Sequence, residues 1–588
     1  MEKNTTTLKD TYNTAYDNYK KGSFEAAETL CYKILSIDPN FIQSKLLLAN
    51  ISAKNKDFIK TKKLLVEVIE TQPENLSALN NLGTVCKELG EMKNAVSYYK
   101  KAIKINPNNA NAYYNLGAIS YDSRQLKEAK AYLEKTTELQ PDFALPFFVL
   151  GNLYADLKQY EKAISNYQQA IKINYNLVSA HNNLGLVFRI INDFKNAISS
   201  YEKAIAIKKN YVNAHNNLAL VLKDLGNFEG AIQSYENAIK YEPENLVNYF
   251  YLSNLKKDIL NDDLKNKVEK IIEKKNTPKI NITYGNFLLS KYEQKVKNYE
   301  KELTFLKKGH ASFFEMQKNR FELLLKYTFR DTLQIAEDIK LEKLIEKDKK
   351  KIKPIFIVGV PRCGSTLVEK IIGSGEQNLA MGEETSVLEE FVTAKILKKQ
   401  SLNLGSAEKI RDEISEIYSK RGLLLEKYDN IFTDKSLNNF FYLKLIKEIF
   451  PHAKIINCKR DISSSIMSIF QNNLTELAWA HDLDNIFKYI DNYLKAIETF
   501  NLENPNFIYE LQYEKLIKNP EEESKKLMQF CELPWNKKCL EFYKRKDMFS
   551  KTTSNLQIRQ AVYKHSLDKY LPYKKMLGRY GKKYPWFN

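Results

Sequence analysis

The sequence predicts an α-helical solenoid in the first half of the chain and an α/β domain with a parallel sheet in the second. Two observations carry this. A 34-residue period runs through the N-terminal portion, and from Lys353 an apolar run passes through a glycine-flanked loop straight into an amphipathic segment. A chain of 588 residues is also too long for one ordinary core, so two or more domains are expected.

The period is plainest in Leu82, Leu116, Leu150, Leu184 and Leu218. Gly83, Gly117, Gly151 and Gly185 follow these leucines, with Ala219 in the last unit, and Ala95, Ala129, Ala163, Ala197 and Ala231 recur further on. Pro39, Pro73, Pro107, Pro141 and Pro243 close units on the same register, with Tyr175 and Lys209 in two others. Small residues let paired helices approach closely, and proline stops the second helix. The pattern resembles the tetratricopeptide repeat. Seven units are expected from Thr7 to Leu246 (7–246), followed by a degenerate helical stretch and linker over 247–345. Asn81, Asn115, Asn183 and Asn217 recur just before the repeated leucine. Such amides either hold an extended peptide backbone, as in the peptide groove of O-linked N-acetylglucosamine transferase that the array resembles, or cap one unit on the next. His181, His215, Tyr113 and Phe147 share a register suited to packing or groove shape.

The charged run from Glu342 to Lys353 is the expected domain junction, which makes 354–588 the second domain. Beyond it the pattern changes. Ile355–Val358, Ile431–Thr433, Lys454–Cys458 and Phe507–Tyr509 read as buried strands alternating with helical segments, hence a parallel sheet whose ligands sit beyond the strands' carboxyl ends.

The first such end opens into VGVPRCGSTL. Gly359 and Gly364 let backbone approach an anion, and Ser365, Thr366 and the helix N-terminus after them supply donors. The spacing nearly fits the ATP-binding loop GxxxxGKS/T, but Ser365 stands at the lysine position and the positive charge is at Arg362. An arginine fork with two hydroxyls suits a phosphate bound without metal. Val360, Pro361, Arg362, Cys363, Gly364, Ser365, Thr366 and Leu367 resemble the loop of the sulfotransferases, and in particular the VPRSGTTL form of the tyrosylprotein sulfotransferases. The resemblance implies a P-loop-like sulfotransferase domain using 3'-phosphoadenosine-5'-phosphosulfate (PAPS), with no metal required.

Further motifs follow in family order. In IINCKRDISSSIMSIF, Arg460 leaves a strand and Ser468 lies in the next helix; the resemblance assigns both to the donor's 3'-phosphate. In MGEETS, Glu383 matches the base that takes the acceptor's proton, with Glu384 beside it. A phenol with pKa near 10 must lose its proton as the new bond forms, and a carboxylate can take it. In FTDKSLNN, Lys435 matches the lysine that stabilises charge on the leaving phosphate, and Arg362 would support it. Tyr513, in QYEKL, matches a residue packed near the nucleotide. In the loop 552–570, Gln557, Arg559 and Lys569 resemble a segment that closes over the donor, with Arg559 as a phosphate contact. Trp535 reads as core. The secreted-pathway relatives carry cysteines where Met381 and Asp434 stand here, so that pairing is absent.

Net charge is +19, which favours anionic partners, although lysine is abundant throughout. No aromatic-basic motif accompanies the charge, so nucleic acid is not expected as a partner. No long apolar run or apolar leader appears, and six scattered cysteines describe neither a metal site nor a disulfide framework. A cytoplasmic enzyme without membrane partners is expected. Three readings stay open: sulfuryl transfer to tyrosine of a protein or peptide recruited by the repeats; transfer to a carbohydrate or small alcohol with His481 as base; and a nucleotide-binding repeat scaffold without turnover.

Overall fold

A computed structural model describes residues 2–333, 340–342, 352–375, 379–399, 403–424, 430–545, 559 and 570–587. Seven helix pairs run from Glu2–Lys20 with Phe24–Ile37 to Val212–Leu225 with Phe228–Tyr241. The repeated small residues act as expected. Ala95, Ala129, Ala163, Ala197 and Ala231 are fully buried. A methyl group on Gly83, Gly151 or Gly185 would come within 2.5–2.7 Å of the ring of Tyr99, Tyr167 or Tyr201, and one on Gly117 within 2.7 Å of Leu133. Each glycine therefore makes room for a large side chain of the second helix in its own unit.

The 34-residue period also appears in the backbone. Gly22, Lys56, Gly90, Arg124, Lys158, Asn192 and Gly226 all have φ between 57° and 82°, one in the turn of each pair. Residue type at this position is not constant. The tight turn imposes the left-handed conformation even where it costs a non-glycine residue about 1 kcal/mol.

Two of the recurring amides, Asn183 and Asn217, bond between units. Asn183 Nδ2 donates to Asn152 Oδ1 (2.9 Å) and Asn217 Nδ2 to Asn182 Oδ1 (2.9 Å), while within one helix Asn182 Nδ2 donates to Asn183 Oδ1 (3.1 Å) and Asn115 Nδ2 to Asn111 O (2.9 Å). His181 and His215 place Nε2 2.9 Å from the carbonyl oxygens of Tyr175 and Lys209, which is a packing role.

The chain divides into two compact units, Met1–Val221 and Leu222–Asn588. This differs from the boundary expected at the charged junction, most of which lies outside the described residues. The reason is packing. Leu246, Phe250, Tyr284, Phe287, Leu303 and Leu306 share one continuous core with the sheet residues Ile355, Phe356, Ile455 and Ile456. Buried polar bonds reinforce it: Tyr573 Oη donates to Glu302 Oε2 (2.6 Å), and His310 Nε2 lies 2.7 Å from Phe470 O. Composition changes at the junction, but the hydrophobic core does not end there.

In the second unit five strands form a parallel sheet: β1 (Lys353–Gly359), β2 (Ala380–Met381), β3 (Ile431–Asp434), β4 (Lys454–Lys459) and β5 (Ile508–Gln512). Their order is β2-β3-β1-β4-β5, so β1 is central and the chain switches sides at its end. Four of these were expected; β2 was not, because two residues carry no readable alternation. Ile355 to Val358 are buried, as expected for a strand covered on both faces. A separate short parallel pair joins Lys340–Glu342 to Asn403–Ser406. Among the described residues no helix is long and apolar enough to cross a membrane.

Candidate active site

Every strand of the sheet delivers a singled-out residue at its carboxyl end. The glycine loop follows β1, Glu383 follows β2, Lys435 follows β3, Arg460 follows β4 and Tyr513 follows β5. The loop enters helix α1 (Ser365–Gly373) through Gly364 at φ 100°, after Gly359 at 150° and Arg362 at 72°. A Cβ on Gly359 would stand 2.8 Å from both Cys363 Sγ and Cys458 O, and one on Gly364 would stand 2.4 Å from the Tyr513 ring. Glycine is thus required twice, for conformation and for space. The opening turn of α1 leaves backbone N–H groups for an anion.

The expected donor-binding residues come together around this loop. Arg362 Nε donates to Ser468 Oγ (3.1 Å), which lies in helix α2 (Ile462–Phe470). Arg460 Nη1 donates to Arg362 O (3.0 Å), and its guanidinium lies 4.9 Å from the centre of the Tyr513 ring. Two guanidinium groups, a hydroxyl and a helix start on adjoining strand ends form a cradle suited to phosphate groups.

Beside it the carboxylates and lysines converge. Gly382 N donates to Thr433 O (3.0 Å) and Lys435 N to Glu383 O (2.8 Å), so the backbone of MGEETS runs along the end of β3. Lys435 Nζ, fully buried, lies 3.0 Å from Glu384 Oε1. Lys370 Nζ lies 3.2 Å from Glu383 Oε1. Glu369 Oε1 accepts from Glu383 N (3.0 Å) and Thr433 Oγ1 (2.8 Å). Burial alone would depress the Lys435 ammonium, but Glu384, Glu369 and Glu383 outweigh it and hold it above the ordinary lysine value. Burial pushes the Glu369 carboxyl up, against the pull of Lys435 and Lys370.

Asp434 ties the segment down from the other side. Its Oδ2 accepts from Thr385 Oγ1 and Tyr418 Oη, both at 2.6 Å, and its Oδ1 from Ser436 N (2.9 Å). Ser436 Oγ in turn accepts from Ser386 N (2.7 Å). All four side chains are buried.

Other expected residues stand elsewhere or in other roles. Cys363 is buried beside Cys458, whose hydrogen bond lowers its pKa while Cys458 itself is pushed well up. Arg559 is not brought to the cradle: its guanidinium donates to Asp224 O (3.1 Å), beside Gly226. Gln557 and Lys569 lie outside the described residues. His481 is a correction to its reading as a base. Its Nδ1 is 2.9 Å from His310 Nδ1 and its ring packs against Phe313 and Phe321, in the interior. Trp535 packs half-buried on the core, its indole N–H on Ser524 Oγ. Among the described residues no group of His, Cys, Asp and Glu side chains is arranged to hold a metal ion.

Sequence reading missed Glu369, Lys370, Thr385, Tyr418 and the role of Asp434. A signal existed for the first two: a Glu-Lys pair inside the otherwise apolar helix STLVEKIIG. For Tyr418, distant in sequence and in an ordinary amphipathic helix, none did.

Comparison with known proteins finds two kinds of family model along the chain. Residues 354–537 match the model of the sulfotransferase family. Models of the TPR repeat match 83–123, 151–189 and 185–226, and tetratricopeptide repeat models match 110–143 and 212–245. An uncharacterized protein of Aquifex aeolicus (strain VF5) is 29% identical over 328 residues, covering 53% of this chain and 42% of that protein. Protein-tyrosine sulfotransferase 1 of Danio rerio is 28% identical over 217 residues, covering 35% and 59%. The chain thus spans less than two thirds of the length of either relative. The solved structure of YrrB, described as a TPR protein with an unusual peptide-binding site, aligns over 32% of this chain and 95% of its own at 23% identity, with a TM-score of 0.28.

Proposed function

From a chain that carries tetratricopeptide repeats and a sulfotransferase domain, we propose an enzyme that moves a sulfuryl group from PAPS to an acceptor hydroxyl, with tyrosine of a protein or peptide the leading acceptor. The observation that carries it is the convergence of the Arg362–Ser468–Arg460 cradle with Glu383 and Lys435 at the carboxyl ends of one sheet. Arg362 and the start of α1 would bind the 5'-phosphate side, and Arg460 and Ser468 the 3'-phosphate. Lys435 would meet the negative charge that collects on the phosphate oxygen as its bond to sulfur breaks. Glu383 would take the hydroxyl proton as the acceptor oxygen forms its bond to sulfur. Tyr513, packed on Gly364, would brace the cradle. The repeats, a class that mediates protein binding, would supply the acceptor polypeptide.

Transfer to a small alcohol with His481 as base loses support, because that imidazole is held in the core by His310. A scaffold without turnover needs neither Glu383 nor Lys435. The test is calorimetric titration with 3'-phosphoadenosine-5'-phosphate (PAP), with ATP as control and no magnesium added. Selective binding of PAP, followed by transfer of label from PAPS to a glutamate–tyrosine copolymer, supports the reading. Absent binding, or equal binding of ATP, refutes it.

A further inference from the structure

The neighbours Glu369 and Lys370 are buried in the middle of α1, at 0% and 1% exposure, between Val368 and Ile371. Two ionisable groups in an apolar nine-residue helix are costly unless they find partners. Both find one in the same residue, although Glu369 Oε2 stays buried without a hydrogen-bond partner among the described residues. Lys370 Nζ holds the carboxylate of Glu383 at 3.2 Å, and Glu369 Oε1 holds the backbone N–H of Glu383 at 3.0 Å. Lys435 N–H takes the third handle, the Glu383 carbonyl, at 2.8 Å.

Glu383 needs such a clamp. Its φ is 50°, the left-handed region that a side chain with Cβ seldom occupies, and strain of this kind persists only where the surroundings impose it. Thr433 Oγ1 fixes the same Glu369 oxygen at 2.8 Å, which locks the carboxylate to β3. The charged groups facing Glu383 are therefore Lys370, Glu369 and, through its backbone and ammonium, Lys435, whose own ion partner is Glu384.

We infer that Glu369 and Lys370 are positioning residues for Glu383, Lys370 aiming the carboxylate and Glu369 holding the strained peptide from which it projects. Because both lie on the helix whose N-terminus forms the phosphate cradle, this helix fixes the base and the donor site as one rigid piece. The inference rests on the proposed role of Glu383 as base.

The test separates the two claims. Lys370→Met should lower kcat by roughly 10- to 100-fold, the scale of a misaimed reacting group, while PAP affinity by calorimetry and the donor KM stay within about twofold. In a Glu383→Gln background the same substitution should cost almost nothing further, since Lys370 acts through that carboxylate. A merely structural lysine would lower kcat alike in both backgrounds, or lower PAP affinity, and either result overturns the inference. Glu369→Gln keeps an acceptor oxygen and Glu369→Leu does not. In hydrogen exchange read by mass spectrometry on the segment 379–386, Glu369→Leu should lose amide protection that the wild type and Glu369→Gln retain. Unchanged protection in Glu369→Leu overturns the inference whether or not any acceptor is turned over. A wild type that binds no PAP refutes the sulfotransferase reading instead, and leaves the exchange result to decide the clamp.

Discussion

Asp434→Ala is the most informative single perturbation of the scaffold beneath the site. The Asp434 carboxylate is fully buried and accepts three hydrogen bonds, from Thr385 Oγ1, Tyr418 Oη and Ser436 N. Truncation orphans them unequally. Thr385 Oγ1 retains Ser436 Oγ at 3.3 Å, whereas the Tyr418 hydroxyl loses the carboxylate it holds at 2.6 Å. Two buried donors that lose their carboxylate acceptor, Tyr418 Oη and Ser436 N, cost about 1–3 kcal/mol each, so about 2–6 kcal/mol in all. Tyr418→Phe removes a donor but leaves Thr385 on the same oxygen, and should cost only about 1–1.5 kcal/mol.

The assay is built into the sequence. The chain has three tryptophans, Trp479, Trp535 and Trp586, all in the unit that starts at Leu222. Trp479 is stacked 3.7 Å from Tyr489, so its emission reports packing of that unit. At a urea m-value of about 3 kcal/mol/M, Asp434→Ala should lower the midpoint by about 0.7–2 M and Tyr418→Phe by about 0.4 M. The double variant should cost little more than Asp434→Ala, because both remove one bond. A midpoint that moves less for Asp434→Ala than for Tyr418→Phe, or additive costs, would refute the account of this network.

Three further outcomes follow from the site and core. Lys435→Ala should lower turnover by roughly 10²- to 10³-fold with PAP affinity nearly kept; intact turnover would remove Lys435 from the mechanism. Arg460→Ala should weaken PAP binding by about 1.5–3 kcal/mol, the scale of a charged hydrogen bond, and an unchanged titration would dismantle the cradle. The buried imidazoles give a pH dependence: burial pushes His310 down to about 4, and burial with its neighbour His310 pushes His481 down to about 3. Both bind protons more weakly folded than unfolded, where the value is about 6.5. Their stability contribution is therefore complete above pH 6.5 and is lost as pH falls toward 4, at up to about 1.4 kcal/mol per pH unit for each. His481→Phe, in a slot already flanked by Phe313 and Phe321, should roughly halve that slope in tryptophan-monitored urea titrations. An unaltered slope would assign the acid sensitivity to other groups.

Much of this molecule is written locally. Leucine, glycine and alanine at fixed intervals announce the helix pairs, because a repeat can bury its face only against a copy of itself, and Gly83 or Gly151 must be small to admit the tyrosine ring of its own unit. The glycine-flanked loop is local too: Gly359, Gly364 and the helix start that follows are neighbours in the chain, so spacing alone reveals them. Arg362, Arg460, Ser468, Glu383 and Lys435 were singled out through short motifs that resemble a family, and the fold puts each motif at a strand end. Residues that act across the chain were not. Asn183 and Asn217 recur in a register that suited either a peptide backbone or capping between units, and only the fold shows that they bond to Asn152 and Asn182 of the preceding unit. His481 carries the residue type of a base, but its register gave no hint of His310, 171 residues earlier. Arg559, read as a phosphate contact, donates to the backbone carbonyl of Asp224, 335 residues earlier. Sequence alone determined the repeats, the parallel sheet and the groups offered to an anion, since these depend on neighbours within a few residues. Tertiary structure decided which core the helices after Leu222 join, and how Glu369, Lys370 and Asp434 hold the segment that bears Glu383, because a buried charge is stable only beside partners that folding brings from elsewhere.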